Sequence, residues 1–235
     1  MNIRRIVILL DDAPFMKPIY SLTLLLYLFA GSTVSGQSIS SSVSGNIKTG
    51  KYLFYLHAGL VTELGNNALN QSVPEWGPYE YLNILDSLRD RGFNVFSEIR
   101  QKGLDDSVYS NKIARQIDSL MVKGVSAEKI LVVGASSGWS IVLAVSSALK
   151  NDDIHYVIMG GCWPDTYKEY STLILHGKFL SIIEASDPHG TCVSLFANRK
   201  NIKSFTEIKL NTGLSHGFIY KGRKAWIDPI VNWIN

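Results

Sequence analysis

Residues 128–138 read EKILVVGASSG, and the chain runs on as WSIVLAVSSALK. The first stretch is rich in β-branched residues and too short for a helix, so it reads as a buried strand. The second is apolar on every side and reads as a buried helix. Only Ala135, Ser136, Ser137 and Gly138 separate them. A buried strand that turns this abruptly into a buried helix belongs in a layered α/β architecture.

The same alternation recurs along the chain. KYLFYLHAG at 51–59, FNVFSEIR at 93–100, IHYVIMGG at 154–161 and KFLSIIEASD at 178–187 read as strands. FTEIKLNTGLSHGF at 205–218 reads as a last strand with its loop. Between them, residues 79–92 place Leu82, Leu85 and Leu88 at helical spacing and stop at Gly92. Residues 110–124 place Ile113, Ile117, Leu120 and Met121 on one helical face and stop at Gly124. Residues 192–200 suggest a short helix, and 223–235 a terminal helix with Pro229 as a possible interruption. Residues 60–78 read as a long loop. The pattern predicts a three-layer α/β/α sandwich with a mostly parallel sheet of about six strands. Right-handed crossovers put all strand C-termini on one edge, where ligands bind.

Residues 134–138 match Gly-x-Ser-x-Gly. A chain of this composition produces such a match by chance roughly 0.2 times, so the surroundings must decide. A nucleophilic serine needs a base, usually His, and a carboxylate to hold that His in the right tautomer. Ser136, Asp187 and His216 each follow a different predicted strand, in the order Ser, Asp, His. The simpler alternatives are a helix cap for Ser136, a cap before Pro188 for Asp187, and a surface loop residue for His216. Ser137 is a second serine candidate without flanking glycines. Asp165 and Glu184 are substitute acids.

At these residues the chain resembles the α/β-hydrolase family, in particular small, lid-poor esterases and dienelactone-hydrolase-like members. The resemblance covers roughly residues 52–235 and rests on HAG at 57–59, GASSG at 134–138, SDP at 186–188 and LSHGF at 214–218. It implies a serine hydrolase with Ser136 as nucleophile, His216 as base and Asp187 as its orienting acid. It implies an oxyanion hole from the Ser137 amide and an amide of the His57 loop, where Ala58 replaces a usual glycine, leaving Gly59 or Leu60 as the second donor. His57 shapes that loop beside the substrate. Trp139 stands where the family often has glycine; it either narrows the pocket or packs against the sheet. The family's first two strands are missing. Residues 161–177 are too short for a large lid. Trp76 and Trp163 are expected either to wall the pocket or to be ordinary packing residues. His155 and His176 read as surface or structural, and His189 as at most a pocket residue.

The 235 residues suffice for one domain with a sizeable core, at 51–235. A net charge of +3 with no basic block excludes nucleic acid as an expected partner. Residues 1–36 contain a cationic start, a short apolar run at 19–30 and small residues before Gln37, and read as a secretory signal. Met16 is a possible true start. The apolar run is short for a membrane span, so no stable span is expected after cleavage. Residues 37–50 read as a flexible leader. Cys162 and Cys192 are either one disulfide or two separate buried thiols, and with scattered His they form no structural zinc motif. No cofactor or metal is expected, the partner is a small acyl substrate, and the oligomeric state is open. The expected product is a secreted or periplasmic serine esterase. The alternative is a catalytically weak or silent binding protein on the same scaffold. A nucleotide-binding α/β protein would need a phosphate loop, and HAGLVTELG has none.

Overall fold

The computed structural model describes residues 38–40, 47–70 and 72–235; the expected signal segment 1–36 lies outside them. The chain forms β1 (Ser38–Ser40), β2 (Lys51–Leu56), α1 (Gly59–Leu64), a small ribbon of β3 (Ser72–Val73) and β4 (Gly77–Pro78), and α2 (Tyr81–Arg89). It continues through β5 (Phe93–Glu98), α3 (Asp106–Val122), β6 (Ile130–Ala135) and α4 (Gly138–Leu149). The C-terminal part holds β7 (His155–Met159), β8 (Gly177–Glu184), α5 (Val193–Phe196), β9 (Ile202–Leu210) and α6 (Lys224–Trp233).

One sheet has the order β1-β5-β2-β6-β7-β8-β9. The six strands read from the sequence all run parallel. The seventh, β1, comes from the segment read as a leader and pairs antiparallel with the edge of β5. The segment read as a plain loop at 60–78 also differs, since it carries α1, a 3₁₀ turn and the ribbon.

Alternate strand residues feed opposite cores. Leu53, Tyr55, Leu131, Val133, Val157 and Met159 meet α2 and α6 on one face. Tyr52, Phe54, Ile130, Val132, Tyr156 and Ile158 meet α3, α4 and α5 on the other. Both faces being covered explains why these strands are near-continuous apolar runs. Each fully buried large side chain contributes about 1.5–3 kcal/mol of transfer free energy.

The helices follow the expected pattern with three corrections. In α2 the buried stripe is Tyr81, Ile84, Leu85 and Leu88, whereas Leu82 is 44% exposed. A 3.6-residue period carries 81 to 84–85 and 88, and residue 82 points outward. Pro229 lies inside α6 without ending it. Helix α3 starts before the expected residue 110, because the Asp105 side chain accepts from the Ser107 and Val108 amides and caps it.

Cys162 and Cys192 form a disulfide across a separation of 30 residues. It links the loop after β7 to the start of α5. Closing a loop of this size removes unfolded-chain entropy worth about 3.6 kcal/mol.

Candidate active site

Ser136 follows β6 with φ +50°, in the left-handed region that L side chains avoid. Two contacts impose this bend. A Cβ on Gly134 would lie 2.5 Å from the Gly138 carbonyl oxygen, and one on Gly138 would lie 2.3 Å from that of Leu56. Strand and helix therefore approach as only glycine allows. The Ser136 amide donates to the Met159 carbonyl at 2.8 Å, and its own carbonyl accepts from the Trp139 amide at 2.9 Å. The hydroxyl is left at the C-terminal edge of the sheet.

His216 follows β9 on the 3₁₀ turn Ser215–Tyr220, and Asp187 follows β8. His216 Nε2 lies 2.9 Å from Ser136 Oγ, and its Nδ1 lies 2.7 Å from Asp187 Oδ2. Asp187 and His216 are both buried. Burial pushes the Asp187 carboxyl up. The His216 ring and the His189 amide, which donates to Asp187 Oδ1 at 3.1 Å, outweigh it, and the net shift is downward. Asp187 thus stays ionised beside the imidazole, whose Nδ1 proton it accepts. That leaves the Nε2 lone pair facing Ser136 Oγ as a hydrogen-bond acceptor.

The other expected residues divide. Gly59 lies against Ser137, whose Oγ is 3.2 Å from a Cβ built on Gly59. Gly59 and Leu60 open the first turn of α1, where amides have no intrahelical acceptor. Ser137 is the N-cap of α4. The start of α1 and the N-cap of α4 thus lie against each other, next to Ser136 in the chain. Trp76 is half-buried, its ring 6.0 Å from that of His216. A Cβ on Gly217 would lie 2.4 Å from the Trp76 Cγ, so glycine there admits the indole. Trp163 is half-buried, its ring 5.1 Å from that of His189 and tilted 34° to it.

Two expected pocket residues are not at the pocket surface. Trp139 is 1% exposed and turned into the core, 4.8 Å from the Tyr170 ring. Gly161 makes room for it, since a Cβ there would lie 2.5 Å from the Trp139 Cβ. His57 is buried with both ring nitrogens engaged. Its Nε2 accepts the Arg100 amide at 2.8 Å, which leaves Nδ1 as the protonated nitrogen, donating to the Ala58 carbonyl at 3.0 Å. Burial lowers its pKa to about 4, with the Arg100 charge adding to the effect, so it is a neutral brace tying β2's end to β5's. A cavity of about 260 Å³ lined by Phe54, Phe96, Tyr109 and Ile113 lies elsewhere and shares no residue with this site.

His155 begins β7 and His176 precedes β8, at the opposite sheet edge. Asp165 lies on an exposed 3₁₀ turn. Glu184, weighed above as a substitute acid, instead holds the histidine loop. Its carboxylate accepts from the Thr212 amide at 3.0 Å, the Thr212 hydroxyl at 2.7 Å and the Gly213 amide at 3.3 Å. It also accepts from Ser186 Oγ at 3.3 Å, which in turn accepts the Ser215 amide at 3.0 Å. Nothing in the local sequence marks this brace, because its partners are mainly backbone groups of another strand's loop. Gly160 was missed as well: a Cβ there would lie 3.0 Å from His216 Cε1.

The Glu184 brace has a pH signature. Burial opposes ionisation, but the Thr212, Gly213 and Ser186 donors outweigh it and hold the carboxyl below 4.5. A depressed folded value stabilises the fold above the unfolded value, and that contribution is lost as pH falls through the folded one. Thermal melts should therefore show Glu184→Gln less stable than wild type at pH 7. The two curves should converge as pH falls below about 4.3. A gap that stays constant down to pH 3 would remove Glu184's charge from the account.

No protein-family model and no curated protein matches the chain. Solved structures do. An acetyl ester-xyloside bifunctional hydrolase from Caldicellulosiruptor lactoaceticus superposes with TM-score 0.55 at 10% identity, over 83% of this chain and 86% of that one. The chain has the α/β-hydrolase fold. A dienelactone hydrolase from Anabaena variabilis matches at TM-score 0.50 and 13% identity, over 84% and 97% of the two chains. A hormone-sensitive lipase from a metagenome library matches at 0.52 and 14%, over 78% and 75%. Within this α/β-hydrolase fold, the residue after β6 is Ser136, the residues after β8 include Asp187, and the loop after β9 carries His216.

Proposed function

We propose that this protein is a serine hydrolase that cleaves an ester or related acyl bond of a small substrate. The observation that carries the reading is the continuous chain Ser136 Oγ, His216 Nε2, His216 Nδ1, Asp187 Oδ2, with links of 2.9 and 2.7 Å. Both lie in the range a working general base needs.

Ser136 Oγ attacks the carbonyl carbon while His216 Nε2 takes its proton. The carbonyl π electrons move to oxygen, and the amides of Ser137 and of Gly59 or Leu60 stabilise that oxyanion. The C–O bond to the leaving group breaks, and His216 returns the proton to the departing alkoxide. Water then attacks the acyl-serine by the same route, releasing the acid and restoring Ser136. Asp187 stays ionised throughout and stabilises the imidazolium. Trp76 beside His216 and Trp163 beside His189 offer apolar surface to a small acyl or alcohol group.

A silent binding protein would be favoured by a blocked site or a Ser136–His216 gap too long for a hydrogen bond. The 2.9 Å separation and the inward turn of Trp139 favour catalysis instead. The disulfide supports function in an oxidising compartment, as expected for an exported protein.

A fluorophosphonate probe should label wild type and fail to label Ser136→Ala, with short p-nitrophenyl esters cleaved only by wild type. A folded wild-type sample that does neither would sink the proposal.

A further inference from the structure

The spacing of acids and histidines along the chain contains no metal motif, yet the fold assembles a ligand set. Asp187, His189 and His216 each present one ligand atom, and the three atoms lie within 4.8 Å of one another. The His189 and His216 rings are 4.8 Å apart at 76°. Asp187 anchors both, accepting the His216 Nδ1 proton on one oxygen and the His189 amide on the other. The His189 ring is half-buried against Trp163. Its nitrogens hydrogen-bond to no other described residue, so a lone pair stands free beside His216.

We propose that Asp187, His189 and His216 form a binding site for a borderline divalent cation such as Zn²⁺. Two imidazoles and one carboxylate suit Zn²⁺, Cu²⁺ or Ni²⁺ and not Ca²⁺ or Mg²⁺, which prefer all-oxygen shells. Zn²⁺ sits about 2.0–2.1 Å from such donors, so the ligand atoms must close from their present spacing. Rotation of the half-buried His189 ring supplies part of that movement. A fourth position is left for water.

Occupancy and catalysis compete for one imidazole. The ion takes His216 Nδ1, the nitrogen 2.7 Å from Asp187 Oδ2, because the Nε2 lone pair faces Ser136 on the far side of the ring. The ring proton then moves to Nε2 and points at Ser136. That leaves the serine without a base. No redox change is involved, and one coordinate bond replaces one hydrogen bond at His216. The inhibitory consequence rests on the hydrolase reading above, whereas the binding does not.

The test is calorimetric titration of the full chain with Zn²⁺, for wild type and for His189→Asn and His189→Asp. These two substitutions are nearly the same size, and only Asp keeps a strong ligand atom. One Zn²⁺ per chain is expected for wild type, at least tenfold weaker binding for His189→Asn, and partial recovery for His189→Asp. His176→Gln, at the opposite sheet edge, should bind like wild type. No stoichiometric binding by wild type, or equal binding by wild type and His189→Asn, would overturn the proposal. So would loss of binding in His176→Gln. In parallel, Zn²⁺ should block fluorophosphonate labelling of wild type, and EDTA should restore it. Labelling unaffected by bound Zn²⁺ overturns the competition. A metal-free protein that never labels counts against the hydrolase reading, while the calorimetry still decides the metal site.

Discussion

Asp187→Asn should lower kcat for a p-nitrophenyl ester by about 10⁴, with KM and the melting temperature changed far less. The reason lies in how the two carboxylate oxygens are used. One accepts the His189 amide at 3.1 Å, the other the His216 Nδ1 proton at 2.7 Å. In Asn the carbonyl oxygen keeps the His189 amide, since only an acceptor fits there. The NH₂ then faces His216 Nδ1 and donates to it. The ring proton is forced onto Nε2, which now donates to Ser136 Oγ and has no lone pair to receive the serine proton. Geometry is kept while the tautomer is wrong. Steady-state kinetics beside a thermal melt check this, and a variant within tenfold of wild-type kcat would exclude the assigned role for Asp187.

Gly138→Ala should destabilise the protein by about 3 kcal/mol or more and also depress fluorophosphonate labelling. The added Cβ would meet the Leu56 carbonyl oxygen at 2.3 Å, the Leu56 carbonyl carbon at 3.0 Å and the His57 carbonyl oxygen at 3.3 Å. All three are backbone atoms at the end of β2, so no side chain can turn away. Relief requires β2 or α4 to shift. Such a shift separates the His57–Gly59 loop from Ser137, the two places proposed to supply oxyanion donors. Gly92→Ala is the control. Gly92 has φ +86° but nothing within 4 Å of the new Cβ, so it should cost only the left-handed backbone strain of about 1–2 kcal/mol. Urea denaturation midpoints separate the cases. Equal losses for the two variants would mean that the close approach at Gly138 is relaxed in solution.

The sheet was legible because parallel strands covered on both faces must be apolar almost throughout, and β2, β6, β7 and β8 are. The edge was not. β1 is three residues of Ser-Ile-Ser, with too little apolar content to show a period, and its pairing with β5 depends on a neighbour distant in sequence. α1 was missed for a similar reason, since six residues carry less than two turns of periodicity. In α2 the helix was evident but its buried face was set by Tyr81 and Ile84, not by the exposed Leu82.

The site divides along the same line. The order of residues along the chain was enough to bring a serine, an acid and a histidine to one sheet edge, because each lies in the segment after a strand and parallel strands share their C-terminal side. It also determined the glycine-flanked elbow, since only small residues allow strand and helix to approach so closely. Tertiary structure alone decided which side chains face that edge. It turned Trp139 into the core, closed both nitrogens of His57 and set Glu184 against the histidine loop. It also joined Cys162 to Cys192 and brought His189 beside His216. Each outcome depends on side-chain direction and on contacts between loops far apart in sequence, and neither is encoded in the period of a single element.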